Sequence, residues 1–210
     1  MSAPARVFII DDDDAVRSGL RLLLESAGFE VEDHSTADAF LARCSPGARG
    51  CVISDIQMPG LDGLQLQAHL ERCGFGLPVI MLSGHADVPV AVQSLKAGAI
   101  DFLQKPFDPE QLLAQVRVAI ALDAQWHAAS ARAAHRDALH ARLTPRERDV
   151  LARIAHGHSN KAVAADLRIS ERTVELHRAH GMKKLELRNV AELVLFLNAG
   201  DRGARDSGGD

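Results

Sequence analysis

The first 122 residues alternate between short apolar runs and longer segments in which apolar residues recur every three to four positions. Short apolar runs bounded by Gly, Pro or Asp are typical of buried strands, and the longer spacing is typical of amphipathic helices. Five strand–helix pairs in succession predict a doubly wound α/β domain around a parallel sheet. The predicted strands are 7–10, 29–31, 51–54, 79–82 and 102–103.

Helices are predicted after each of these strands, at 14–27, 36–44, 64–70, 88–97 and from 109 onward. Gly28 is expected to end the first helix. Ser35 stands three residues before Asp38, which is the spacing of a capping box and predicts the start of the second helix. Asp108 and Pro109 are a suitable N-cap and first residue for the last helix.

The remainder of the chain has a different pattern. Residues 123–142 are rich in Ala and predict a helical linker, although a coiled-coil seam is an alternative whose apolar repeat fades after Trp126. Thr144, Pro145 and Glu147 then form the N-cap, first residue and capping box of a new helix. Short helices at 145–155, 159–167, 171–185 and 189–198 predict a small all-α domain with helix-turn-helix connections. The predicted organisation is therefore a domain at 1–122, a linker at 123–142, a second domain at 143–199 and a disordered tail at 200–210.

Charge and composition add a second contrast between the two domains. Residues 1–122 carry 9 Lys/Arg and 16 Asp/Glu, a net charge of −7, whereas residues 141–200 carry 11 and 7, a net charge of +4. This asymmetry favours two domains with different partners, although simple variation of the surface would also account for it.

The compartment is predicted from what the sequence lacks. No apolar stretch approaches the roughly 18–20 residues of a membrane span, and residues 1–6 do not form a signal peptide. The three cysteines, Cys44, Cys51 and Cys73, are odd in number and have no CxxC spacing. We therefore expect a cytoplasmic protein with reduced cysteines and no membrane partner.

Polar side chains stand where the apolar runs end. Asp11 and Asp12 follow the first predicted strand, Asp55 the third, Ser83 the fourth and Lys105 the fifth. The carboxyl ends of parallel strands share one edge of the sheet, where open α/β sheets bind ligands. Carboxylates beside a hydroxyl and an ammonium favour Mg²⁺ and a phosphoryl group over a packed core.

A less specific interpretation exists for several of the polar residues in the first domain. Asp13 and Asp14 are best interpreted as acids at a helix N-terminus, where they complement the helix dipole. His85 is most simply a solvated loop residue.

The segments VFIIDDDDAVRSGL, CVISDIQMPGLDG and VIMLSGHADVPVAVQSLKAGAIDFLQKPF resemble a response-regulator receiver domain across roughly residues 5–122. The resemblance implies the flavodoxin-like strand order 2-1-3-4-5. It implies that Asp55 is the phosphoacceptor, a carboxylate nucleophile that forms an acyl phosphate. It also implies a Mg²⁺ cofactor held by Asp12, Asp55 and the backbone carbonyl of Gln57, with Asp11 adding charge.

The same resemblance assigns three further residues. Ser83 and Lys105 would bind the phosphoryl oxygens, and the bond from Lys105 to Pro106 is expected to be cis. Phe102 occupies the aromatic switch position. Because the chain contains no Tyr, a switch at Phe102 would depend on packing.

The stretch from Leu143 to about residue 197 resembles a LuxR-type helix-turn-helix, so the two domains together resemble the FixJ/NarL family of two-component response regulators. Ala162 departs from the acidic residue frequent at that position. The third helix would enter the major groove, with Val174, Met182 and Leu185 packed inward. The outer face is expected to contact bases through Thr173, Glu175, Leu176, Ala179, His180 and Lys183. Phosphate contacts are expected from Lys161, Arg172, Lys183 and Lys184.

The implied function is that of a phosphorylation-dependent DNA-binding transcription regulator, and not of an enzyme. A partner histidine kinase would phosphorylate Asp55. Phosphorylation would drive receiver homodimerisation through the 88–97 helix and the Phe102 strand, followed by binding to promoter DNA, with RNA polymerase as a further partner. Two alternatives stay open: a regulator that needs no phosphorylation, and a Mg²⁺-dependent phosphohydrolase with an aspartyl-phosphate intermediate. Against the hydrolase, Gln57 stands where a second acid would protonate the leaving group.

Overall fold

The structure, a computed structural model, describes residues 5–84, 92 and 94–206, with side chains described as far as residue 199. The chain divides into two compact units, Met1–Ala128 and Ala129–Asp210. His85 and most of the helix predicted at 88–97 lie outside the described residues, although residues 92 and 94–96 are helical.

The first unit contains a five-stranded parallel sheet in the order β2-β1-β3-β4-β5, which confirms the order implied by the receiver resemblance. Its strands are β1 Arg6–Ile10, β2 Glu30–His34, β3 Gly50–Asp55, β4 Val79–Ser83 and β5 Asp101–Gln104. The strand predicted at 29–31 lies further along the chain, because β2 is an edge strand whose sequence EVEDH has Val31 as its one apolar residue among three acids. Half-exposed edge strands lack the continuous apolar run that marks buried parallel strands.

Helices cover both faces of the sheet and create two cores. These helices are α1 Asp14–Ser26, α2 Ala37–Arg43, α3 Gly63–Arg72 and α4 Pro109–Ala141. Successive strand residues point to opposite faces. Thus Ile9 and Ile53 pack with residues of α1 and α4, whereas Phe8 and Val52 pack with residues of α2 and α3. The strands of the sheet centre are apolar on both faces for this reason.

One predicted cap is wrong and another is confirmed. Thr36, and not Ser35, caps α2, because Thr36 is extended and its hydroxyl accepts the backbone N–H of Ala39 at 3.2 Å. Gly28 follows the end of α1 with a φ of 87°, a conformation that glycine adopts without strain.

The predicted receiver helix and the predicted linker form one continuous helix, α4, of 33 residues. No break occurs at the proposed boundary between residues 122 and 123. The two compact units divide later, between Ala128 and Ala129.

The second unit, as far as residue 206, is built from helices, with α5 Pro145–Ala155, α6 Asn160–Leu167, α7 Glu171–Lys184 and α8 Val190–Asp206. The capping box of Thr144 and Glu147 is present as predicted, with Pro145 in the first turn. The buried core includes Val150, Val163, Val174, Leu185 and Leu193, and the end of α4 contributes Leu139.

The last helix differs from the sequence prediction. α8 continues to Asp206, into the segment from residue 200 that we expected to be disordered. The segment contains no proline that would stop a helix. Among the described residues, no helix is both long enough and apolar enough to span a bilayer.

Candidate functional site

The carboxyl edge of the sheet brings Asp11, Asp55 and Lys105 into direct contact. Lys105 Nζ lies 2.6 Å from Asp11 Oδ2 and 2.6 Å from Asp55 Oδ1. Asp11 is 1% exposed and Asp55 is 7% exposed. β1 and β3 are neighbours in register, so Asp11, which follows β1, meets Asp55, the last residue of β3, and Lys105 reaches both from the end of β5. The sequence predicted this meeting from strand ends alone.

Each of the two carboxylates is oriented by a backbone N–H as well as by Lys105. Asp55 Oδ2 accepts the N–H of Gln57 at 2.8 Å, and Asp11 Oδ1 accepts the N–H of Asp13 at 2.9 Å. Both oxygens of each group are therefore held, one by the chain and one by the ammonium. Such a preorganised group keeps its geometry when a ligand arrives.

The electrostatics of this group follow from burial. Burial raises the pKa of Asp55 above its ordinary value, and the hydrogen bond and charge of Lys105 reverse only part of that rise. Burial by itself would lower the pKa of Lys105, but its hydrogen bonds to Asp11 and Asp55 outweigh this effect and the pKa is raised. Lys105 therefore stays a cation, which two buried carboxylates require.

The other predicted residues of this edge lie around that group. Ser83 is buried at the end of β4. Asp12 is exposed next to buried Asp11. Phe102 is half-buried in β5 and packs on the core beneath α2 and α3. The peptide bond from Lys105 to Pro106 is cis, as expected.

The neighbouring acids have the structural role that we predicted for them. Asp13 is the N-cap of α1, and its carboxylate accepts the N–H groups of Ala15 and Val16. Asp14 lies in the first turn of the helix and pairs with Arg17.

The donors at this edge fit a hard cation. The carboxylates of Asp12 and Asp55 and the carbonyl of Gln57 are oxygen donors, which Mg²⁺ prefers, and it keeps several waters when few protein ligands are offered. Within the described part of the chain, no group of three or more His, Cys, Asp or Glu side chains is arranged to hold a metal. A magnesium site here would therefore rest on two carboxylates, one carbonyl and water.

In the second unit, α7 presents one face to the core and one to solvent. Val174 and Leu185 are buried, and Met182 packs against the same core. The exposed residues that were predicted to meet DNA are Arg172, Glu175, Leu176, Ala179, His180 and Lys183, with Lys161 exposed on α6. Thr173 is half-buried, and its hydroxyl lies 2.7 Å from that of Ser170, the N-cap of α7.

Lys184 has an internal partner that sequence reasoning missed. Its Nζ lies 2.7 Å from Glu147 Oε2, and the same carboxylate closes the capping box of α5 through the N–H of Thr144. Burial would raise the pKa of Glu147, but the hydrogen bonds from Lys184 and Thr144 lower it below its ordinary value. The two residues are 37 positions apart, so no local pattern could have indicated the pair.

Two family models match the chain. Residues 7–117 match the response regulator receiver domain. Residues 141–197 match the bacterial regulatory proteins of the luxR family.

Individual relatives match almost the whole chain. The transcriptional regulatory protein FixJ of Azorhizobium caulinodans is 44% identical over 202 residues, which cover 96% of each chain. The response regulator protein TodT of Pseudomonas putida is 40% identical over 188 residues, covering 90% of this chain and 83% of TodT. The low-resolution structure of response regulator StyR superimposes with a TM-score of 0.86 at 41% identity, covering 93% of this chain and 99% of StyR. Full-length FixJ from B. japonicum gives a TM-score of 0.56 at 39% identity, covering 94% of this chain and 98% of the FixJ chain.

These matches define the class of protein. The chain belongs to the response regulators that join a receiver domain to a LuxR-type helix-turn-helix domain. It is a two-component transcriptional regulator with a DNA-binding domain, and its relatives are named as regulators and not as enzymes.

Proposed function

We propose that phosphorylation of Asp55 switches this regulator between states of different affinity for promoter DNA, and that a histidine kinase is the phosphoryl donor. The observation that carries the proposal is the contact of Lys105 Nζ with both Asp11 and Asp55 at 2.6 Å. Asp55 is a largely buried carboxylate at an edge of the sheet where other acids and one cation lie beside it. Such a carboxylate suits nucleophilic attack on phosphorus.

The reaction forms a bond between an Asp55 carboxylate oxygen and phosphorus and breaks the phosphorus–nitrogen bond of a phosphohistidine, whose imidazole leaves and takes up a proton. The new group adds negative charge and acceptor oxygens. Lys105 would pair with these oxygens, and the Ser83 hydroxyl at the adjacent strand end would donate to one of them. When bound by Asp12, Asp55 and the Gln57 carbonyl, Mg²⁺ would supply positive charge that offsets the repulsion between carboxylate and phosphoryl oxygens.

The DNA contacts are proposed from the exposed face of α7. Glu175 can accept from a cytosine amino group, and Leu176 and Ala179 can contact a thymine methyl. Arg172 and Lys183 suit phosphate contacts, as does Lys161 of α6. Lys184 is a weaker candidate than the others because its ammonium already pairs with Glu147. Receiver homodimerisation would then favour paired half-sites, and contact with RNA polymerase would follow at the promoter.

The decisive experiment compares Asp55→Asn with wild type. A duplex is first selected from a random-sequence library with protein that was treated with a small phosphodonor and Mg²⁺. We expect wild type to form a phosphoryl adduct that base and hydroxylamine cleave, and to gain affinity for this duplex, and Asp55→Asn to show neither change. Asp38→Asn, an exposed acid on α2, is the matched control and should behave as wild type.

Three results would contradict the proposal. An unchanged gain in affinity in Asp55→Asn would exclude Asp55 as the switch. Absence of labelling in wild type would favour a regulator that needs no phosphorylation. Release of many equivalents of phosphate per chain from a simple ester would favour a hydrolase.

A further inference from the structure

A buried ion pair joins the helical linker to the base of the receiver sheet, the edge at which the parallel strands begin. Asp123, one residue beyond the receiver end predicted from sequence, is 0% exposed. Its Oδ2 accepts from Arg49 Nε at 2.8 Å, and Arg49 Nη2 lies 2.8 Å from the same oxygen. One helical turn further on, His127 Nε2 lies 3.3 Å from Asp123 Oδ1. All three residues belong to the first compact unit.

Arg49 is held at the base of the sheet by its own backbone. Its carbonyl accepts the N–H of Arg6 at 3.0 Å. Gly50, the first residue of β3, has a φ of 130°, and a Cβ there would lie 1.7 Å from the Arg6 carbonyl oxygen. Only glycine fits such a close approach between neighbouring strands. The guanidinium is therefore presented from a fixed point, which a flexible surface loop would not provide.

The surroundings of Asp123 exclude a casual surface contact. The preceding helix residues Val116 and Ala119 are fully buried against the sheet, and Cys51 of β3 belongs to the same core. Burial, and after it the charge of Asp123, raises the pKa of Cys51 to about 12, so this thiol stays neutral beside the carboxylate. Arg49 is 18% exposed at its side chain, and the pair is largely withdrawn from water.

A buried ion pair fixes the position of a helix more narrowly than apolar packing does. Well-packed apolar residues at such a site are often as stable as a buried pair or more so, because both charges must be desolvated. Two apolar side chains also tolerate small rotations and slides, whereas a guanidinium with two nitrogens 2.8 Å from one carboxylate oxygen accepts a narrow range of positions. The pair is therefore better suited to setting one register of the helix than to adding stability.

The position of the pair suggests what that register is for. Arg49 directly precedes β3, and Asp55 is the last residue of the same strand. The phosphoacceptor and the linker attachment thus lie at opposite ends of one buried strand. Beyond Asp123, α4 continues without a break to Ala141 and contributes Leu139 to the core of the helix-turn-helix unit.

We propose that the Arg49–Asp123 pair is a positioning contact that holds the linker part of α4 in one register on β3, and that phosphorylation of Asp55 changes DNA affinity only while this contact is made. The coupling rests on the function proposed above, whereas the local attachment does not. Arg49 and Asp123 are positioning residues, since neither lies at the carboxyl edge of the sheet.

The attachment is tested by hydrogen exchange on full-length protein. Asp123→Asn should speed exchange of the amides of residues 120–128 at least tenfold and leave those of β3 unchanged. Trp126, the one tryptophan of the chain, should lose fluorescence anisotropy. Asp137→Asn is the matched control, because Asp137 lies on the same helix with a side chain 76% exposed. Equal exchange in the two variants would overturn the attachment.

The coupling is tested with two variants, the selected duplex and the small phosphodonor. Asp123→Asn and the double apolar variant Arg49→Met/Asp123→Leu should both be labelled on Asp55 at the wild-type rate. In both, the gain in DNA affinity on phosphorylation should fall at least fivefold. The double variant should unfold at a urea concentration equal to or above that of wild type, which separates register from stability.

The outcomes distinguish the two proposals. A full gain in affinity in the double variant overturns the coupling, whatever its exchange rates. A wild-type protein that is not labelled, or that is labelled without a gain in affinity, overturns the proposed function, and the exchange comparison still decides the attachment.

Discussion

At the scale of single residues, the arrangement around Lys105 depends on one ammonium between two buried carboxylates. Removing that charge leaves Asp11 and Asp55 facing each other without a cation. We expect Lys105→Met to lower the free energy of unfolding at pH 7 by about 2–3 kcal/mol, somewhat below the cost of breaking a fully buried pair, because Lys105 keeps partial exposure. The deficit should shrink towards pH 5, because protonation of one carboxylate relieves the repulsion.

Urea unfolding at the two pH values measures this effect, with the exposed Lys96 replaced in the control variant Lys96→Met. A variant as stable as wild type at pH 7 would show that the ammonium is not needed to hold the two acids.

A second prediction at the scale of single residues concerns Glu147 and the stability of the helix-turn-helix unit in acid. Its pKa is lowered in the folded protein from an ordinary value of 4.5, because hydrogen bonds from Lys184 and Thr144 outweigh burial. A carboxylate of lowered pKa contributes stability that is fully present above its unfolded pKa and is lost as the pH falls through its folded pKa. We therefore expect Glu147→Gln to destabilise the helix-turn-helix unit at pH 6 by about 1–3 kcal/mol, and to differ less from wild type below pH 4.

Exchange of the amides of α5 and α7 at the two pH values reports this difference. Glu186→Gln serves as control, since Glu186 forms an exposed pair with Arg142 at 3.6 Å and such pairs contribute little. An equal difference in amide exchange between Glu147→Gln and wild type at both pH values would show that the ionised Glu147 carboxylate is not the source of the stability.

At the scale of elements, the approach of α3 to the end of β3 sets the shape of the phosphoacceptor loop. Gly63 begins α3, and a Cβ there would lie 2.4 Å from the Asp55 carbonyl oxygen and 3.0 Å from Ile56 Cα. Both atoms belong to the backbone and cannot rotate away. Gly63→Ala should therefore lower stability by about 1–3 kcal/mol and slow the labelling of Asp55 by a small phosphodonor.

Gly19→Ala is the matched comparison, for which we expect a change in stability of the opposite sign. Gly19 is an exposed position within α1, and a Cβ there would meet no other atom within 4 Å, so alanine should stabilise the helix by about 1 kcal/mol. Thermal unfolding of both variants checks the pair, and a Gly63→Ala protein with unchanged stability and labelling would show that α3 can retreat from Asp55.

At the scale of the whole molecule, the two compact units raise the question of where the receiver ends. The buried Asp123 and its partner Arg49 place the end of the receiver's stabilising contacts after residue 122. We expect a fragment of residues 1–128 to be more stable than one of residues 1–122 by about 1.5–3 kcal/mol, because the shorter fragment removes Asp123 and leaves the largely buried Arg49 guanidinium without that carboxylate.

The reason is checked by a third fragment, residues 1–128 carrying Asp123→Ala. If the ion pair is responsible, this fragment should unfold close to the urea midpoint of 1–122. If helix length alone matters, it should unfold with the unchanged 1–128 fragment, and the assignment of Asp123 would be wrong.

Prediction from sequence succeeded where the signal is local or follows from the geometry of parallel strands. Central strands, helix starts such as Thr144 and the meeting of Asp11, Asp55 and Lys105 all follow from apolar runs, capping residues and a shared sheet edge. It was less successful at β2, where acidic edge residues obscure how far the predicted strand extends, and at Ser35, where one residue of shift changes the cap.

The amino-acid sequence alone determined the two-domain organisation and the polar rim at the strand ends, because periodicity and caps act over short stretches of chain. Its resemblance to known families supplied the receiver and helix-turn-helix folds and the strand order. Tertiary structure alone decided that Lys184 pairs with Glu147 and that Asp123 pairs with Arg49. These partners stand 37 and 74 positions apart, and each charge is locally indistinguishable from a solvated one. Only the folded chain withdraws the carboxylate of each pair from water and so makes its contact with the cation obligatory.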